Sequence, residues 1–210
     1  MHRIFLIPVL FIVAIWGIHI AHYFGGYNFD AFALYPRQTD TFFTILTSPL
    51  IHADWEHLVS NTFPILLLSA ILFLSYEKAA LKVWVLLYLF PQALVWLLGR
   101  PSYHIGASGI VYGLASYLFF GGLFRMDVKA IAIAFAVALF YGGMVWGVLP
   151  IQPGISWESH LLGAIVGALL AFRHRKSHLS EQEPYIPDEE PTTPDRKTFD
   201  DFIKENQTRN

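Results

Sequence analysis

The chain has 210 residues, 55% of them hydrophobic and only 14% charged, with a mean hydropathy of +0.47 and a formal net charge of −2. A soluble domain carries about a quarter charged residues, so a water-soluble globule is excluded, and the near-neutral balance leaves no basic footprint for a nucleic acid. The absence of cysteine removes disulfides, thiolate metal sites and cysteine nucleophiles.

The charges divide the chain. Residues 1–172 carry 7 Lys/Arg and 7 Asp/Glu, whereas residues 173–210 carry 7 and 9. The expected organisation is an all-α, polytopic membrane domain over 1–176 and a disordered cytoplasmic tail over 177–210. That tail is acidic and punctuated by Pro184, Pro187, Pro191 and Pro194, so it cannot bury enough apolar surface to offset its ordering entropy.

Ile4 to Phe24 is the first apolar run. A secretory signal peptide would have a shorter apolar core ending at an A-x-A-like site. This run leaves through Ala21-His22-Tyr23-Phe24 instead and reads as a retained span. Residues 25–51 form a loop rich in aromatic and aliphatic side chains, expected to lie in the interface or against the bundle. Further apolar runs follow at 56–75, 83–98, 105–124, 130–149 and 157–172. Several are close to the roughly 20 residues needed to cross a hydrocarbon core, and together they predict six spans.

Basic residues favour the cytoplasmic side. With the N-terminus inside, the inner loops hold Lys78, Lys82, Arg125, Lys129, Arg173, Arg175 and Lys176, against only Arg37 and Arg100 outside. Both termini are therefore expected in the cytoplasm, with the protein in the cell's inner or plasma membrane.

Polar residues inside spans carry the functional signal, because their desolvation must be offset. His52, His57 and Asn61 enter the second span, Gly106-Ala107-Ser108-Gly109 and Tyr112 open the fourth, and His160 lies early in the sixth. Even-numbered spans run in the same direction, so these residues share one depth in the outer leaflet. His57 and Asn61 stand at i, i+4, as do Ser108 and Tyr112, and such pairs share a helix face. Gly109/Gly113 on the fourth span and His160, Gly163, Ala164 and Gly167 on the sixth form small-residue faces that let two backbones approach closely. A Ser108–His160 hydrogen bond requires that approach.

The chemistry then assembles. A serine hydroxyl becomes nucleophilic when a base takes its proton, and neutral imidazole is the commonest base. Donors aimed at the developing oxyanion complete the set; His57, Asn61 and the Ser108 N–H at a helix N-terminus are candidates. Glu158, two residues from His160, points to nearly the opposite side of a helix. A Ser–His dyad is expected, with Tyr112 packed against the imidazole.

These motifs, in this order and at these spans, resemble the rhomboid intramembrane serine proteases over about residues 1–173. The likeness rests on His52-x4-His57-x3-Asn61, Gly106-Ala107-Ser108-Gly109 with Tyr112, and Ser159-His160-Leu161-Leu162-Gly163-Ala164-Ile165-Val166-Gly167; Glu77-Lys78 also matches. The resemblance implies a six-span bundle, Ser108 as nucleophile, His160 as general base, and His57 and Asn61 lining the oxyanion site, with Tyr112, His52, Gly106 and Gly109 in support. It implies membrane-protein substrates, of the single-span kind, cleaved in or near a transmembrane helix, with no cofactor and no metal. Many relatives carry Trp-Arg in the first loop, where this chain has Phe43-Thr44, so the loop's anchoring departs from the pattern.

Three rivals fare worse. A zinc helix needs histidines at i, i+4, but His52 and His57 are i, i+5, about 140° apart on a helix. A transporter would show broken helices at corresponding places in two halves, and Pro64 and Pro91 do not correspond. A non-catalytic rhomboid-like membrane chaperone would lack the Ser108/His160 pair. His19, His22 and His104 read as structural hydrogen-bonders, and Asp54 and Glu56 as interfacial charges.

Overall fold

The computed structural model describes residues 5–151, 154–176, 201 and 203–205. Seven α-helices are present among them: α1 (Leu6–Gly25), α2 (Thr44–Thr47), α3 (Trp55–Ser75), α4 (Glu77–Leu98), α5 (Ser108–Arg125), α6 (Val128–Tyr141) and α7 (Trp157–Arg173). There is no strand among the described residues, and only one isolated bridge, Leu34 with His104. The expected tail, 177–210, lies outside the described residues except for 201 and 203–205, which are helical and belong to a separate compact unit.

Local chemistry sets the helix ends. Asp54 caps α3 by accepting the His57 N–H at 2.7 Å, and Asp127 caps α6 by accepting the Ala130 N–H at 2.8 Å. Gly26 closes α1 with φ +68°, in the left-handed region where glycine carries no Cβ penalty. α3 passes into α4 through Tyr76 alone, whose φ −128° and ψ +41° break the helical path. Pro64 and Pro91 sit inside α3 and α4, which membrane helices tolerate when neighbours satisfy the freed carbonyls.

The third run, expected from 83, begins at Glu77, because a helix end carries Lys78 and Lys82 at the interface without leaving helical geometry. The fourth, expected from 105, begins at Ser108, after Gly106 turns the chain at φ +98°. The fifth, expected through 149, is α-helical only to Tyr141 and continues as a 3₁₀ segment over Gly142–Val148, with Gly142, Gly143 and Gly147 loosening it.

α5 is the central helix. Its buried residues, Gly109, Ile110, Val111, Gly113, Leu114, Ser116, Tyr117, Leu118, Gly121 and Gly122, cover most of its circumference, as expected of a helix largely enclosed by others. Its broadest contact is with α7, and it also packs on α3, α4 and α6. The α5–α7 seam is made of glycine. A Cβ at Gly163 would fall on the Gly109 carbonyl, and one at Gly167 on the Gly113 carbonyl. Ser116 Oγ donates to the Ala164 carbonyl at 2.6 Å across the same seam. At Gly109/Gly163 and Gly113/Gly167 the two backbones therefore meet directly.

Outward faces present Val13, Phe63, Leu67, Leu74, Phe135, Leu139 and Leu169, the surface an acyl-chain environment requires. Leu6–Gly25, Trp55–Ser75, Glu77–Leu98 and Val128–Val148 are long and apolar enough to cross a membrane, with mean hydropathies of 1.8 to 2.0. The chain is an integral membrane protein. α5 and α7 are less apolar than these four, because glycine, serine and histidine face the interior there, not lipid.

The first loop lies against the bundle. Leu34 exchanges backbone hydrogen bonds of 3.1 and 2.8 Å with His104, and the Gly106 N–H reaches the Ser48 carbonyl at 3.0 Å. Arg37 donates to the Gly99 carbonyl at 2.8 Å, and the Trp96 indole N–H to the Gln38 carbonyl at 3.2 Å. A tryptophan and an arginine thus anchor this loop after all, but they come from distant parts of the chain and not from an adjacent pair.

Candidate active site

The site begins with how Ser108 is delivered. Gly106 adopts φ +98°, and a Cβ there would lie 2.5 Å from His57 Nε2 and 2.6 Å from its Cε1. Only glycine lets the chain turn beneath the His57 imidazole and enter α5 with Ser108 as its first residue. The first N–H groups of a helix have no partner within it and carry the positive end of its dipole, so Ser108 stands where negative charge is favoured.

His160 lies in the first turn of α7, brought across the glycine seam. Its Nε2 is 2.8 Å from Ser108 Oγ, and its Nδ1 is 2.9 Å from the Gly147 carbonyl. A carbonyl only accepts, so Nδ1 carries the proton and donates to it. In neutral imidazole the other nitrogen is then the acceptor, and the Ser108 hydroxyl donates to Nε2. This is the tautomer a general base needs.

Tyr112 stacks on the imidazole with ring centroids 4.1 Å apart and planes 8° from parallel. Its hydroxyl donates to the Met144 carbonyl at 2.9 Å. The 3₁₀ segment after α6 therefore holds both rings, the tyrosine through residue 144 and the histidine through residue 147. Gly147 must be glycine, since a Cβ would collide with the Tyr112 hydroxyl and lie 3.2 Å from His160 Nδ1.

The remaining predicted residues gather less uniformly. The His57 ring meets Gly106 and packs edge-on against His52, with centroids 5.0 Å apart. His52 is buried, and burial with the adjacent His57 holds its pKa down at about 3. Asn61 is buried one turn along α3, where its amide nitrogen donates to the His57 carbonyl at 2.8 Å. One of its two N–H donors is thus used within its own helix, leaving one. Gly109 serves the seam, as a Cβ there would lie 3.2 Å from the Ser159 carbonyl. Glu158 turns away from His160, as its position on the helix predicts, and pairs with Arg100 at 3.2 Å. No carboxylate is bonded to the imidazole; its Nδ1 partner is a backbone carbonyl. Among the described residues, no three His, Cys, Asp or Glu side chains gather as a metal-ligand set.

Sequence reasoning missed the Gly147 and Met144 carbonyls, because every residue type supplies one. The only signal was the glycine pattern at 142, 143 and 147, which marks irregular backbone. It also read Asp54 as an interfacial charge, although Asp54 three residues before His57 is an N-cap spacing.

Comparison with known proteins identifies the family. The Rhomboid domain family model matches residues 39–177. An uncharacterized protein of Mycobacterium tuberculosis is 30% identical over 171 residues, covering 77% of this chain and 71% of its own length. One of Mycobacterium leprae is 35% identical over 147 residues, covering 64% and 57%. The chloroplastic Rhomboid-like protein 11 of Arabidopsis thaliana is 26% identical over 178 residues, covering 74% and 61%. With the domain match spanning most of its membrane helices, the chain belongs to the rhomboid family.

Proposed function

We propose that this protein is an intramembrane serine endopeptidase with Ser108 as nucleophile and His160 as general base. The observation that carries the reading is the 2.8 Å Oγ–Nε2 pair with Nδ1 committed to Gly147. Ser108 Oγ attacks the scissile carbonyl carbon while its proton passes to His160 Nε2. Collapse of the tetrahedral intermediate breaks the C–N bond, and the imidazolium returns that proton to the leaving amine. Water then attacks the acyl-enzyme, giving one proton to Nε2, and Ser108 recovers it as the acid product departs.

The negative oxygen of the intermediate faces the N–H groups at the start of α5, with His57 and the free Asn61 N–H as side-chain donors. Through the Gly147 carbonyl, the Nδ1–H bond keeps Nε2 basic and steadies the imidazolium. Tyr112 restricts the ring's swing. His52 supports His57, and Gly106 and Gly109 permit the close approaches. A helix hides its peptide carbonyls within its own hydrogen bonds, so the substrate must unwind locally before attack, which favours helix-breaking residues near the cut in a single-span membrane protein. The surrounding organisation we propose is six spans over 1–176 in the cell's inner or plasma membrane, with both termini and the 177–210 tail cytoplasmic.

The direct test is cleavage of a model single-span substrate by the purified protein in detergent. Wild type should cut within or beside the substrate's transmembrane segment, and Ser108→Ala should lower the rate by at least about 10³-fold. Cleavage surviving in Ser108→Ala contradicts the assignment. Binding without cleavage by wild type would support a membrane-chaperone role instead.

A further inference from the structure

A second serine–histidine couple lies beside the first and does different work. His104 is four residues before Ser108, and Ser156 is four residues before His160. His104 is 1% exposed, and both of its nitrogens are bonded. Its Nε2 is 3.2 Å from the Arg100 carbonyl, which only accepts, so Nε2 carries the proton and Nδ1 is the acceptor. The Ser156 hydroxyl donates to Nδ1 at 2.6 Å, and Ser159 Oγ, also 2.6 Å from Ser156 Oγ, donates to it in turn. Burial, foremost, holds the His104 pKa below its usual value, consistent with a neutral ring.

The same two segments are tied a second time. Glu158, 5% exposed, forms an ion pair with Arg100, its Oε1 3.2 Å from Nε, and accepts from the Arg100 backbone N–H at 3.4 Å, while Arg100 Nη2 donates to the Ile155 carbonyl at 2.8 Å. The Ser156 carbonyl accepts from the Ser159 N–H at 3.1 Å and the His160 N–H at 3.4 Å. Whatever fixes Ser156 therefore fixes the backbone of His160 directly.

We propose that His104, Ser156 and the Arg100–Glu158 pair form a positioning latch that sets the register between the loop delivering Ser108 and the helix start carrying His160. The latch makes no contact with the reacting atoms. Its consequence is kinetic, because misplacement by about 1 Å can cost on the order of 100-fold in rate while substrate binding is untouched. The inference rests on the dyad reading above.

The test measures kcat and KM of the purified full chain on a single-span substrate, with thermal unfolding in parallel. His104→Ala and Arg100→Gln should lower kcat about tenfold to a hundredfold with KM nearly unchanged, the signature of lost transition-state alignment. Arg100→Lys, which keeps the charge beside Glu158, should stay closer to wild type than Arg100→Gln. Ser156→Ala removes one hydroxyl, retains the fold, and should show the same kcat-only loss if His104→Ala fails to fold. A kcat equal to wild type in Ser156→Ala and Arg100→Gln, or a change confined to KM, overturns the latch alone. A folded wild type that neither cleaves nor labels with a serine-directed probe overturns the protease reading and the latch with it.

Discussion

An imidazole held by a backbone carbonyl differs from one held by a carboxylate. The Gly147 oxygen fixes the tautomer of His160 and steadies the imidazolium through its dipole, without the full charge a carboxylate would bring. Ser108, His160 and Tyr112 were legible because each is a polar side chain in an apolar run, at spacings that bring one face together. The carbonyls of Met144 and Gly147 were not, since their chemistry is common to all residues. His52 yields a prediction of its own. Its pKa is about 3 when folded, against 6.5 for an ordinary histidine, so the unfolded chain binds this proton first as pH falls. The stability contributed by the neutral buried ring is complete above about pH 6.5 and declines towards pH 3, by about 2 kcal/mol at pH 5. Thermal unfolding between pH 7.5 and 5 should therefore show a clear loss, which His52→Phe should reduce. An unchanged pH dependence in His52→Phe would rule this out.

Among the elements, the α5–α7 seam decides whether the two residues meet. The glycine faces were readable from sequence as small residues at every fourth position, and the structure places carbonyls of one helix where side chains of the other would be. Gly163→Ala should force the helices apart, costing about 1–3 kcal/mol of stability as overpacking does, and should depress proteolysis as Ser108 and His160 separate. Gly17→Ala is the control, because a Cβ at Gly17 meets nothing within 4 Å and should leave both properties near wild type. Equal stability and activity in Gly163→Ala would contradict the packing account. Helix limits were less legible than the faces. Hydropathy marks where a segment becomes charged, not where it stops being helical, so α4 begins six residues before its apolar run, and the 3₁₀ turn after α6 looks like a continuing span.

At the scale of the whole molecule, the membrane assignment followed from charge depletion alone, and the family from three ordered motifs. The first loop could be placed against the bundle by its apolar character, but its anchoring could not, because Arg37 and Trp96 are joined only by folding. Orientation makes the broadest prediction. With seven basic residues on one side and two on the other, tags at both termini should be protected from protease added to intact cells, and a tag within 148–156 should be accessible; an exposed C-terminal tag would reverse the topology. The central claim is the activation of Ser108 by His160, and covalent labelling tests it most directly. A serine-directed fluorophosphonate should modify wild-type protein at Ser108, as located by peptide mass mapping, fail to modify Ser108→Ala, and react much more slowly with His160→Ala, which lacks the base. Labelling of His160→Ala at the wild-type rate, or modification of wild type at some other serine, would contradict it.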